Sequence, residues 1–361
     1  MNHSLAALIL VFLAGVLFML PMLPAIVELC LKRDAQPLDV VQQYGGDIRH
    51  FAHGFRNYVA ELQLPLQQCV ASGTTARGIL PKGDEYVLLG GPNMASCLPV
   101  GKQDQTCSLV VAAGSDILLP DSLTFTKEVF AAGEFVGGKS STYRAVLGEK
   151  GIHLQQASKV IRWAHSAGEF RAEHDCDLYG RISSDQEIQL QSGCVFQRLN
   201  APRIAFGSAS VADKGSSCIV SETLRDTASL PGADARTLVD GDMEIRSGEV
   251  IAGSVVVRGR LHIHAGARVL GSVKSNKETI VETGVCVQGS LISAATMHIG
   301  QGCRIGGPVV AEHGMVIESG TECGTMRTPT TVSAPTVEVE EGVLVYGTLW
   351  ARKEGRVVTI R

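Results

Sequence analysis

One short phrase returns six times in the last third of the chain, and four of the five steps between copies are 18 residues. The copies are Met243-Glu-Ile-Arg-Ser-Gly248, Leu261-His-Ile-His-Ala-Gly266, Thr279-Ile-Val-Glu-Thr-Gly284, Met297-His-Ile-Gly-Gln-Gly302, Met315-Val-Ile-Glu-Ser-Gly320 and Val337-Glu-Val-Glu-Glu-Gly342. A second glycine follows in each, at Gly253, Gly271, Gly289, Gly307, Gly324 and Gly347. The step from Gly320 to Gly342 is longer, and Thr328-Pro-Thr-Thr-Val-Ser-Ala-Pro335 supplies the extra residues at a bulge. A fixed period of this kind specifies a repeat architecture before any other feature is weighed.

Within each copy apolar residues alternate, as at Leu261 and Ile263, which is the two-residue period of a strand. The glycines then punctuate the run as structural corners that a side chain would obstruct. Eighteen residues without helical periodicity predict one coil of a parallel β-solenoid, about three short strands per coil. No coil buries its apolar side alone, so stability comes from stacking at roughly 4.8 Å per coil.

The same phase extends upstream in weaker form. Ile152-His-Leu-Gln-Gln-Ala157, Phe170-Arg-Ala-Glu-His-Asp175 and Ile188-Gln-Leu-Gln-Ser-Gly193 start 18 residues apart, with Ala157 and Asp175 in the glycine position. Residues 108–207 therefore read as an irregular solenoid segment, and residues 241–361 as a regular one. Residues 208–240, rich in Ser, Ala, Asp and Gly, read as a flexible insert or a hinge between two stacks. Ten or so coils imply a rod roughly 50 Å long.

Leu5 to Val27 is 23 residues without a charge, long enough to cross a bilayer as a helix. Residues 1–31 thus read as a transmembrane anchor. No Lys or Arg precedes the span, whereas Lys32, Arg33, Arg49 and Arg56 follow it. That asymmetry places the bulk of the chain in the cytoplasm, facing the inner membrane. Residues 32–107 read as a juxtamembrane helix with a linker or capping region. Ile48, Phe51, Phe55, Tyr58, Val59 and Leu62 give that helix an apolar face. Two destinations fit it: the inner leaflet, with its basic groups at lipid head groups, or the flank of the first coils.

A net charge of −4 and 5% aromatic residues give neither the basic stripe nor the stacking platforms of a nucleic-acid binder. None of the ten cysteines forms a C-x-x-C pair. Cys176 and Cys194, 18 apart, should stack on neighbouring coils, as a reduced thiol ladder in the cytoplasm. His262 and His298 occupy matching places two coils apart, with His264 on the same side as His262. Glu244, Val316 and Glu338 occupy equivalent places, so these histidines read as a solvated ladder rather than as a ligand pair or catalytic base. No nucleotide, hydrolase or zinc-protease motif occurs, and no catalytic, cofactor or metal residues are assigned.

The segment from Met243 to about Trp350 resembles the bactofilins, polymer-forming cytoskeletal proteins of bacteria. The resemblance rests on Ala265-Gly-Ala-Arg-Val-Leu-Gly271-Ser-Val and Glu282-Thr-Gly-Val-Cys-Val-Gln-Gly289-Ser-Leu-Ile. It implies a right-handed β-helix that assembles end to end and helps localise envelope-building enzymes at the inner membrane. The chain departs from the family in its full anchor, its second solenoid segment and its charged end, Ala351-Arg-Lys-Glu-Gly-Arg-Val-Val-Thr-Ile-Arg361. Charges near an edge strand oppose edge-to-edge addition. The expectation is a non-enzymatic, membrane-anchored scaffold that self-associates or recruits cell-envelope or polysaccharide-assembly proteins. The competing expectation is a membrane-bound β-helix acyltransferase with His262, His298 or His313 as base.

Overall fold

A computed structural model of the chain describes residues 48–101, 104–207 and 236–360, together with positions 10, 12, 13, 15, 19 and 20. The chain divides into two units, Met1–Gly46 and Asp47–Arg361, and all the strands among the described residues belong to the second. The expected span Leu5 to Val27 lies almost wholly outside the described residues. Among the described residues, no helix is long and apolar enough to cross a membrane.

The 18-residue phrase sets the register of a parallel β-solenoid of about 12 turns. Met243 pairs with Leu261, Leu261 with Thr279, Thr279 with Met297, Met297 with Met315, and Met315 with Val337. Each copy therefore lies directly on the next. Two further columns run beside it, for example Val255–Val273–Leu291–Val309 and Arg268–Cys286–Arg304–Glu322. Three columns of strands enclose the core, and the alternation sends one residue in two inward. The extra residues before the last copy enter earlier than the expected bulge over 328–335. Cys323 still pairs with Ile305 in step and Val332 already pairs with Val309, so the insertion lies between them, at a turn closed by Thr325 and Thr328.

The upstream copies stack in the same way, Ile152 on Phe170 on Ile188 on Ile204. This first stack begins before residue 108, because Glu85–Leu89 and Thr106–Cys107 already pair in parallel with the next coil. The second stack likewise begins before residue 241, at Arg236–Val239. The two stacks differ inside. Phe125, Phe135, Tyr143, Phe170, Phe196 and Phe206 fill the first, whereas Val, Ile, Leu, Met, Cys and Ala fill the second. Phe125 and Tyr143 lie stacked one coil apart, ring centroids 5.2 Å.

The order of the stacks is not the order of the sequence. The last strand of the first stack, Val195–Phe206, pairs antiparallel with the last strand of the second, Leu344–Val358. The two solenoids therefore meet tail to tail. One hydrophobic core runs through the joint, from Val87 to Val357. The charged C-terminal run is consequently no edge: Leu344–Val358 is paired on both sides, with Thr330–Glu340 on the other. Its charges do not guard a free end, because that end is consumed within the chain.

Two helices, α1 (His50–Val59) and α2 (Gln63–Ser72), lie along one flank of the first stack. Ala52, Phe55, Val59, Leu62, Leu66 and Cys69 pack on Leu88, Val110, Ala112, Ala145, Leu147 and Trp163, the outward residues of one column. Two ion pairs fix the docking, Arg56 to Glu149 at 2.7 Å and Arg49 to Asp185 at 2.9 Å. Of the two destinations open to this helix, the flank of the coils is the one it takes. Most of its apolar face is buried there and is not presented to lipid. Phe51 remains 41% exposed, with Arg181 over its ring.

Candidate functional site

In most coils the residue that turns the corner is followed by a buried position (exposed Glu249, after Gly248 in the outermost coil, is an exception), and these positions form an internal file. In the first stack it reads Leu123, Ser141, Ser158, Cys176, Cys194; in the second, Ala267, Val285, Cys303, Thr321, Val343. Where the side chain carries a donor, it bonds a carbonyl of the coil below. Ser158 donates to Gly138 at 2.9 Å, Cys194 to Glu173 at 3.1 Å, Cys303 to Glu282 at 3.1 Å and Thr321 to Gly300 at 2.9 Å. The position takes a buried side chain, apolar at Leu123, Ala267, Val285 and Val343, and accepts Ser, Thr or Cys where the single donor reaches a carbonyl. Every described cysteine is a free thiol. The stacked pair expected at Cys176 and Cys194 is present, with Cys176 pushed up by its hydrogen bond with Cys194 and by burial. Burial also raises Cys303 to about 11 and Cys323 to about 12. Cys194 is shifted the other way by the same contact with Cys176, but it is fully buried and its Sγ is engaged by the Glu173 carbonyl, so the file is read as structural from its burial and hydrogen bonds.

The histidines form a second file, on the outside. His153 faces Glu173 at 3.1 Å, His262 faces Glu282 at 2.8 Å and His298 faces Glu318 at 2.9 Å. In each case the histidine is the second residue of one phrase and the glutamate the fourth residue of the next. The same glutamates brace the corners, Glu282 accepting from the Ala265 N–H at 2.9 Å and Glu173 from that of Gln156 at 3.0 Å. Glu282 is held below the usual carboxylate range, first by the Ala265 N–H; desolvation opposes this, and hydrogen bonds with His262 and His264 add to the lowering. His262 and His264 are half-buried against these partners rather than fully solvated, 33% and 31% exposed. His313 sits exposed in the turn after Val309–Ala311.

Sequence reasoning missed three features. His165 is 1% exposed, its Nδ1 2.9 Å from the Ser183 hydroxyl. Its ionisation is pushed down, mainly by burial, with Asp185 opposing and Arg56, Arg49 and His53 reinforcing. The period carried back from Ser183 would have placed it beneath that residue. Between α2 and the flank lies a groove of about 690 Å³ walled by Val59, Leu66, Val70 and Phe130, with Arg56 and Glu149 at one side. The third feature is the outer end of the second stack. Arg236–Val239, Met243–Ile245 and Val250–Ile251 each pair only inward, with the coil that follows, among the described residues. Leu238 and Val250 are 56% and 57% exposed there.

Comparison with family models, with curated proteins and with solved structures returns no match. The fold stands on its own geometry.

Proposed function

We propose that the chain is a non-enzymatic scaffold that self-associates through the outer end of its second stack. One observation carries this reading above the rest: the joint between Val195–Phe206 and Leu344–Val358 is already a union of two solenoid ends. That internal joint supports a contact of the same type between two copies at Arg236–Val239 and its neighbours. An edge whose backbone groups have no outer strand partner among the described residues, beside exposed Leu238 and Val250, is a template for strand addition. Tethering at the inner membrane rests on the uncharged run from Leu5 to Val27. The bactofilin-like phrase supports a cytoskeletal role, with envelope or glycan-assembly proteins as the partners placed at the membrane.

Sedimentation velocity on the unit from Asp47 to Arg361 tests the reading directly. Mass that rises with concentration is the expected result; a monomer across the whole series removes it. Histidine-to-alanine variants at positions 298 and 313 help separate the scaffold from the acyltransferase reading, since a scaffold keeps its cellular role without them.

A further inference from the structure

At one place on the outer histidine file three coils converge. Glu244 belongs to the outermost coil of the second stack, His262 and His264 to the next, and Glu282 to the one after. One donor atom from each of Glu244, His262 and His264 lies within 4.8 Å of the others. The rings of His262 and His264 are 4.1 Å apart between centroids. Glu282 Oε1 stands 2.8 Å from His262 Nε2 and 3.1 Å from His264 Nδ1, while His264 Nε2 points to Glu244 Oε2 at 3.6 Å. A shallow cleft of about 250 Å³ borders the group, with Asp242, Arg260 and Glu278 on its walls. Arg260 is engaged there by Asp242 at 3.1 Å.

We propose that Glu244, His262 and His264 form a binding site for a first-row divalent transition-metal ion of zinc's class. Two imidazoles and a carboxylate are the donor set such ions take, and they disfavour calcium and magnesium, which seek oxygen alone. The two other histidine–glutamate pairs of the file offer one ring to one carboxylate. Here two rings crowd a single carboxylate oxygen, and a dication that accepts a lone pair from each neutral ring suits that crowding. His264 Nε2 and His262 bind as neutral rings, His262 Nε2 leaving its contact with Glu282 with its ring proton moved to Nδ1, and Glu244 closes the set from the coil outside. Glu282 supplies what metal sites commonly need behind an imidazole: a carboxylate that accepts a hydrogen bond from the Nδ1–H of His264 and fixes the ring. Its second oxygen is itself held by the Ala265 N–H. Water completes the coordination through the cleft.

The consequence is mechanical. The ion links the outermost coil to the coil beneath it, at the end where Leu238 and Val250 lie exposed. Binding to the folded coil alone makes its local opening rarer. The site does not depend on the scaffold reading, since it requires only the stacked coils.

Isothermal titration of ZnCl2 into the untagged full-length protein in detergent, carried out in a Cys97→Ser background, tests the site. One saturable equivalent with micromolar or tighter affinity is expected. Glu244→Gln and His264→Ala should each weaken it by tenfold or more, while His298→Ala, which removes an ordinary pair of the same file, should leave it unchanged. Hydrogen exchange at residues 243–251 should slow on adding zinc in the parent and not in Glu244→Gln, a variant at an exposed side chain that leaves the fold intact. Absence of saturable binding overturns the proposal, as does binding indifferent to Glu244→Gln and His264→Ala.

Discussion

Two glycines of one repeat show how differently the same residue can be required. Gly266 holds φ at +70° with nothing near the position of a Cβ, so only its backbone conformation matters. A Cβ on Gly271 would stand 2.6 Å from the backbone of Gly253, one coil away, whatever its φ. Asparagine tolerates the left-handed region but adds bulk. Gly266→Ala should therefore cost about 1–2 kcal/mol, with Gly266→Asn milder. Gly271→Ala and Gly271→Asn should both destabilise, by about 1–3 kcal/mol or more as the coils are forced apart. Urea midpoints of the four variants check this, and a rescue by asparagine at 271 would refute the close-contact explanation. Ala157 occupies the corner that Gly266 occupies elsewhere, at φ +59°. Ala157→Gly relieves that strain and loses part of the gain to unfolded-chain freedom, for a net stabilisation of up to about 1 kcal/mol. The same urea series measures it. These corners were legible from the sequence because the period marks them. The cause of each was not, since left-handed φ and close approach both spell glycine.

At the scale of elements, the helix face was readable and its destination was not. Ile48, Phe55, Val59 and Leu62 suit lipid or a sheet equally well; Trp163 and Leu147, outward on an otherwise alternating strand, are what decide for the sheet. The docking edge carries a titratable group. His165 is buried beside Ser183, with Asp185, Arg49, Arg56 and His53 facing it from strand and helix. Because its ionisation is pushed below the ordinary imidazole value, the unfolded chain binds its proton first as pH falls. Stability from this residue is thus complete above the unfolded value, near 6.5, and lost as pH drops through that value toward the lower folded one. The parent should lose urea resistance between pH 7 and 5, and His165→Gln, which keeps a hydrogen-bonding side chain toward Ser183, should flatten that slope. Parallel slopes for the two proteins would show that another group is responsible.

For the whole molecule, the decisive fact is a joint that no local pattern announces. The repeats read along the chain suggest one column in sequence order, whereas Phe196 and Gly355, far apart in sequence, meet where the stacks turn tail to tail. Periodicity fixes which residues stack within a solenoid; it is silent on which end meets which, because both ends carry the same phrase. The joint leaves the chain with unlike ends. One finishes in an antiparallel pair, Thr75–Ile79 on Glu85–Leu89, which reverses the ladder with a short strand of alternating exposure. The other presents the three inward-paired strands around Leu238 and Val250. A filament needs two ends that can each add a subunit, but a single self-complementary end closes on a two-fold axis and stops. Self-association should therefore end at a dimer, with strands antiparallel across the contact as they are in the internal joint. Leu238→Glu combined with Val250→Glu places like charges opposite one another across that axis and should return the protein to a monomer. Its circular dichroism should stay unchanged, because both side chains are already more than half exposed. Sedimentation equilibrium of the Asp47–Arg361 unit distinguishes the outcomes: a parent that saturates at twice the monomer mass fits one open end, and growth without limit would mean that the hairpin end also adds subunits.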